Sequence, residues 1–494
     1  MLTQERYGRQ RRDAPHLEIV ILLALFGALL AGASWLVLLT PTNRAALGPL
    51  LAEFIIVVVC FVILTSHDRQ LPIFDAGAIC IAATFVYTVV PLLGFWISDF
   101  EIGLLSDIRL YERNPSPEEL GAFSWRHVVY TFSLGTAYLC VRREGVPFGT
   151  SIASPPTAML YPLAGGILVV LAFLLFVEWQ TGFTFAVSYE TKRGADGIAL
   201  SNLPLLLQQL THNAYGILLI LKIAVLIFLF QRFHRPWYKA ALCAWLAFEV
   251  LSTAMNLGAR TNMILLLLAA VLCYHRLVYP LSTGRALAAA TTLLGGFLLI
   301  GFIRDYAADA PGFASILSAS NEFQALFATA YDVYIMKTVE NADFPMAIHF
   351  ADVLRLVPQQ VLPFEKLDPS TWYVIQRTGD ASTAGLMFGA IAEGVVAYDW
   401  LSLIAQGAVV GLLFGAIHRW YVANCHSYLG TIAYIWLCIV SYYTFRASTF
   451  YILVWVAYRL IPTLLFLWVG ALVLRNASAG IRAERQASAA PHAA

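Results

Sequence analysis

Long apolar runs alternate with short polar connectors along the chain, and the runs set the expected architecture. About twenty consecutive apolar residues in helical form cross a hydrocarbon core. On that measure the pattern predicts about twelve transmembrane helices, over 17–39, 46–66, 74–98, 124–141, 158–177, 213–231, 239–257, 262–279, 286–303, 398–417, 427–445 and 449–474. The first run is too long for the core of a signal peptide and is read as a helix. No soluble domain or short repeat interrupts the series. The expected fold is therefore all-α: one polytopic membrane domain over 1–475, then a small polar tail, 476–494, read as disordered and cytoplasmic.

The connectors orient this bundle. With the N-terminus inside, "RYGRQRR", "VRRE", "QRFHRPWYK" and "HRWY" all fall on the cytoplasmic side. About sixteen Lys and Arg face about seven acids there, against about thirteen and about twenty-one outside, as the positive-inside rule asks. Both termini are then cytoplasmic. Length accumulates outside, most of it in one loop over about 304–398. In that loop "NEFQALFATAYDVYIM" sets Phe323, Leu326, Phe327, Ala330, Tyr331 and Tyr334 on one helical face. A second piece, "MAIHFADVLRLV", stops before Pro358. The large loop is thus expected to carry amphipathic helices against the membrane or the bundle, and loops of this length are usually functional.

Composition agrees with the pattern. Of 494 residues 60% are hydrophobic and 12% charged, and the mean hydropathy is +0.72. A soluble domain carries about twice that share of charge. The net charge of +1 gives no bulk attraction for nucleic acid. The seven cysteines sit in apolar runs or short connectors with no CxxC, so neither a metal site nor a disulfide framework is expected, and no cofactor is implied.

The charges at the membrane rim carry the candidate chemistry. Arg260 stands in the short connector of "NLGARTNMILLLL", Arg304 ends a span in "GFIRDY", Arg446 lies between the last two spans, and Arg377 lies in the large loop. All four fall outside, where the rule disfavours them. Each alone reads as an anchor to lipid phosphates. Together they suit a lipid diphosphate, because guanidinium grips phosphate bidentately. Glu393, in "GLMFGAIAEGVVAYDW" among Gly385, Gly389 and Gly394, reads either as a general base or as a counter-ion that orders the arginines. His349 is a second candidate base, with a surface histidine on an amphipathic helix as the plainer reading. Inside the spans, Lys222 and Glu249 each lie about 15 Å deep on consecutive antiparallel helices, so an ion pair is expected between them. Arg459, in mid-span, pairs with Glu249 instead or lines an aqueous cavity.

At these residues the chain resembles the Wzy-type oligosaccharide repeat-unit polymerases, a group related to the O-antigen ligases. The resemblance covers topology over most of the chain, and at residue level four pieces: "NLGARTNMILLLL", "RLVPQQVLPFEKLDP", "STAGLMFGAIAEGVVAYDWLSLIAQGAVVGLLFGAIHRWY" and the late outer Arg446. Two departures stand out: Lys366 is followed by Leu-Asp before Pro369, and "YDW" replaces the family's Asn-aromatic-Gly. The resemblance implies metal-independent polymerisation of undecaprenyl-diphosphate-linked repeat units at the periplasmic face of a bacterial inner membrane. The partners implied are a lipid-linked glycan donor and acceptor, membrane lipids and a chain-length regulator. Glu393, Arg260 and Arg446 would be catalytic. Arg304, Arg377 and His349 would bind substrate, and Trp372 and Tyr373 would stack on sugar rings. A ligase using another acceptor and a transporter or flippase with charges at mid-membrane are the alternatives.

Overall fold

A computed structural model describes residues 44–68, 74–97, 116–142, 152–153, 155, 157–181, 203–255, 260–282, 284–286, 288–293, 295, 321–357, 361–364, 366–379 and 388–489. Every regular element of three residues or more among them is helical. In chain order the first are α1 (Arg44–Asp68), α2 (Ala76–Ile97), α3 (Pro117–Val141), α4 (Thr157–Thr181), α5 (Leu205–Gln231), α6 (Pro236–Met255) and α7 (Arg260–Leu277). The large loop contributes α8 (Asn321–Thr338), α9 (Met346–His349), α10 (Ala351–Leu354), α11 (Pro369–Thr378) and α12 (Gly389–Val396). The chain ends with α13 (Trp400–Asn424), α14 (Tyr428–Val440), α15 (Tyr443–Arg446), α16 (Tyr451–Trp455), a π-helical turn over Val456–Leu460, and α17 (Ile461–Ala489).

Among the described residues five helical stretches are long and apolar enough to cross a membrane: Leu47–Ser66, Ala158–Thr181, Leu206–Gln231, Trp400–Asn424 and Tyr451–Ala477. Shorter apolar helical stretches occupy Ala76–Leu92, Met263–Leu277 and Tyr428–Val440. The expected span 17–39 lies outside the described residues. By packing, the chain groups into two compact units, one of Met1–Pro147, Leu281–Ala423 and Leu437–Leu453, the other of Phe148–Pro280, Asn424–Trp436 and Val454–Ala494. The stretch read as a disordered tail continues α17 as far as Ala489. Its "RNASAGIRAERQASA" is rich in alanine and arginine, strong helix formers that extend an existing helix at little cost.

The first unit is organised on α3. Its start is written in the sequence: Ser116 caps Glu119 N–H at 3.2 Å, Glu119 caps back to Ser116 N–H at 3.3 Å, and Pro117 takes the first turn. Helix α1 packs along α3. Between them the fully buried Glu53 accepts the Thr131 hydroxyl at 2.7 Å. Glu53 is an in-span charge that the run pattern alone passes over. Gly407, Gly411 and Gly415 line one face of α13, and this face lies directly on α3. A Cβ on Gly411 would come within 2.4 Å of the Leu134 carbonyl oxygen. Small residues four apart permit this close approach.

Two ion pairs fasten α3. Toward its start, Arg126 grips Asp399 with Nε and Nη2 at 2.7 and 2.6 Å and lies over the Tyr334 and Trp400 rings. At its end, Arg142 donates to Asp75 at 2.7 Å, and the same carboxylate takes the Tyr138 hydroxyl and caps Ala78 N–H at 3.1 Å. Helix α8 is buried on more than the one face expected: every residue from Leu326 to Val333 is buried, Tyr334 is half-buried, and Phe327 and Tyr331 meet Phe123 edge-on. The Phe323 side chain lies outside the described residues.

The second unit packs α4 against α5 and α17, and α5 against α6 and α7. The expected clasp between α5 and α6 is present, with Lys222 Nζ 2.6 Å from one Glu249 oxygen and 2.7 Å from the other. Trp245 Nε1–H adds a bond to the same carboxylate at 3.1 Å. Arg459 donates to Asn213 at 3.1 Å and lies 4.2 Å over the Trp455 ring. Leu168, Val169, Leu175 and Trp179 leave one face of α4 exposed and apolar, the character of a lipid-facing helix.

Candidate functional site

The site is assembled in the first unit from the large loop and the segment after α15. Local signals place its parts. Asp368 caps α11 by accepting Thr371 N–H at 3.0 Å, Pro369 fills the first turn, and Gly379 at φ +72° closes it. Helix α12 starts at Gly389, whose φ of +73° favours glycine, and a Cβ there would meet Leu326 Cδ1 at 2.5 Å. One turn later α12 presents Glu393, 4% exposed.

Arg355 meets Glu393 Oε1 at 3.4 Å and Asp368 Oδ1 at 3.6 Å, with its guanidinium 5.5 Å over the Tyr451 ring. Asp352 lies three residues before Arg355, on the same helical face. Its Oδ1 accepts the Ser448 hydroxyl and the Phe450 N–H, the latter at 3.0 Å. Burial first, then the neighbouring Asp352 carboxylate, pushes Glu393 well above the usual carboxylate range against the pull of Arg355. Burial also raises Asp352, opposed by the Ser448 and Phe450 bonds and by Arg355. Glu393 and Asp352 are thus two buried carboxyls, both in the field of the Arg355 guanidinium, which Glu393 meets directly. Lys366 donates to the Val357 carbonyl, and burial together with the Arg355 charge lowers its pKa.

The candidates named from sequence fall in different places. Arg446, 8% exposed, closes α15, with Nη1 3.3 Å from the Tyr443 hydroxyl. Its carbonyl oxygen lies 3.5 Å from where a Cβ on Gly389 would sit, so the Arg446 backbone adjoins the start of the Glu393 helix. Arg377 is engaged by carboxylates: Nε and Nη2 reach Asp332 at 2.7 Å each, and Nη1 and Nη2 reach Glu340 at 3.1 Å each. Tyr373 is fully buried with its hydroxyl on Asp332 at 2.7 Å, and Trp372 is 7% exposed against Phe344, so neither offers an open ring face. His349 is half-buried, edge-on to Phe344. Arg260 opens α7 in the second unit, with its side chain outside the described residues, and Arg304 lies outside them altogether.

Sequence reasoning missed Asp352 and Arg355. Their spacing in "ADVLRLV" puts opposite charges on one face of an otherwise apolar piece, which was the available signal. It also missed Asp399: the "YDW" departure supplies both the carboxylate and the Trp400 ring that hold Arg126.

The apolar helices define a multi-pass, all-helical membrane protein, and the site defines a buried carboxyl–guanidinium cluster within it. No protein-family model, curated protein or solved structure matches the chain.

Proposed function

We propose that this protein is a membrane glycan transferase that polymerises undecaprenyl-diphosphate-linked repeat units at the periplasmic face of the inner membrane. The observation that carries the reading is Glu393, a buried carboxyl held 3.4 Å from Arg355 with its second oxygen unpartnered among the described residues. A general base near neutral pH needs a raised carboxyl pKa, and Glu393 has one. In the reaction an acceptor hydroxyl oxygen attacks the anomeric carbon of the donor. The C–O bond to the diphosphate breaks, the lipid diphosphate leaves with the electron pair, and the hydroxyl proton passes to Glu393. Guanidinium groups at the outer rim offset the charge developing on the diphosphate.

The test is elongation of lipid-linked repeat units by purified protein in nanodiscs, read as a glycan ladder on a gel. Glu393→Gln keeps the shape and removes the base, and should lower the rate by about 10²–10⁴. A full ladder at the wild-type rate from Glu393→Gln removes Glu393 from the chemistry. No ladder from wild-type protein removes the polymerase reading.

A transport reading draws on Glu53, fully buried inside the apolar α1, because ionisable residues inside spans commonly mark transport paths. Deleting a flippase strands single repeat units on the cytoplasmic leaflet, whereas deleting a polymerase leaves them on the outer one.

A further inference from the structure

Buried polar atoms in folded proteins nearly always have a partner. Among the described residues nine buried side-chain atoms have none, and five of these belong to Tyr130, Asp352, Arg355, Glu393 and Thr449. These five residues belong to one neighbourhood. Asp352 Oδ1 is taken by Ser448 and Phe450, which leaves Oδ2. Glu393 Oε1 faces Arg355, which leaves Oε2. The Arg355 Nη2 is shared between Glu393 and Asp368, which leaves its Nε–H. The Tyr130 hydroxyl lies in the field of both Asp352 and Glu393. Thr449 sits in the chain between the two residues that hold Asp352.

The unmet set says what would satisfy it. Two carboxyl oxygens can take donors, one N–H needs an acceptor, and two hydroxyls can do either. A free cation is disfavoured by the guanidinium, and a free anion by the two carboxyls. A neutral group with paired donors and acceptors fits, and adjacent hydroxyls on a sugar ring are such a group. We propose that Asp352, Glu393, Arg355 and Tyr130 form a subsite for vicinal hydroxyls of a neutral sugar, with Asp352 as a second functional carboxyl beside Glu393. This rests on the glycan reading above and extends it: Asp352 orients the sugar whose hydroxyl gives its proton to Glu393.

The test is saturation-transfer NMR on the full chain in nanodiscs, using the methyl glycosides of glucose, galactose, mannose, rhamnose and N-acetylglucosamine as probes. At least one should bind, and Asp352→Asn and Glu393→Gln should each weaken it about tenfold, the effect of one mismatched buried hydrogen bond. Asp352→Asn retains an oxygen for Ser448 and Phe450, so the fold is expected to survive, checked by an unchanged melting temperature. If it does not survive, Tyr130→Phe carries the test, since that hydroxyl has no partner among the described residues. The exposed Cys140→Ser should leave binding unchanged. Absence of binding by every glycoside, or equal binding by wild type and variants, overturns the subsite and leaves only water at these atoms. Binding without elongation of lipid-linked units overturns the polymerase reading and leaves the subsite standing. Elongation with unaltered rate and acceptor KM in Asp352→Asn does the reverse.

Discussion

Glu393 and Asp352 are two carboxyls whose burial favours their protonated forms. A base acts only when ionised, so elongation should speed up as pH rises through the raised apparent pKa of the pair, which belongs to both groups together. Stability should run the other way. The folded pKa lies above the unfolded one for both groups, so their contribution is complete below the ordinary carboxylate range. It is lost as pH rises through the raised values. Melting curves and rate profiles over the same pH series check both signs. Glu393→Gln should flatten the rise in rate and lessen the loss of stability. An elongation rate that falls across that range would contradict the assignment of Glu393 as base. Arg377, an arginine in an outer loop, reads as a phosphate ligand, and its guanidinium holds Asp332 and Glu340. Its neighbours Trp372 and Tyr373 spend their rings on packing.

At the scale of elements, the long helices follow from run length, but their fastening depends on small residues and on pairs far apart in sequence. Helix α13 approaches α3 closely enough to exclude a Cβ at Gly411. Gly411→Leu should therefore force the helices apart and cost about 1–3 kcal/mol or more, the usual effect of overpacking. Thermal melting in detergent, compared with a Leu substitution at the exposed Val409 on another face of α13, measures it. In the second unit, Lys222→Ala or Glu249→Ala leaves one charge without its ion pair in an apolar layer. Either should lower the melting temperature, and exchanging the two residues should recover part of the loss. Single variants as stable as wild type would show that the clasp contributes nothing.

The whole molecule adds orientation. The positive-inside count puts the large loop outside and the 418–428 turn inside. In a cysteine-free background, Ser320→Cys should react with a membrane-impermeant thiol reagent in intact cells, and Ser427→Cys should not. The opposite result would place the carboxyl–guanidinium cluster on the cytoplasmic side and exclude periplasmic chemistry at it. The division into two compact units is a property of this scale alone. Each unit is built from separated stretches of chain; the boundaries at 147 and 280 fall in the Gly/Ser/Pro-rich "GVPFGTSIASPP" and "PLSTG", whereas those at 436 and 453 fall inside helices that nothing in the composition interrupts.

The sequence by itself determined an all-helical chain with apolar spans, because run length and period are local properties. The same 3.6-residue period determined that α8 is a helix, but not that 326–333 would be buried on every side, which depends on its neighbours. The sequence also determined the Lys222–Glu249 pair, because two charges at matched depth on consecutive antiparallel helices must meet or remain costly. Glu393 was legible as a carboxylate among glycines, but its partner was not. Arg355 reaches Glu393 across 38 positions in the chain, and Asp352 is fixed by Ser448 and Phe450 almost a hundred positions on. Those distances closed only when α10, α12 and the segment after α15 folded together. Burial then decided which oxygens were occupied and which were left free, and that depends on every neighbour at once rather than on any one stretch of chain.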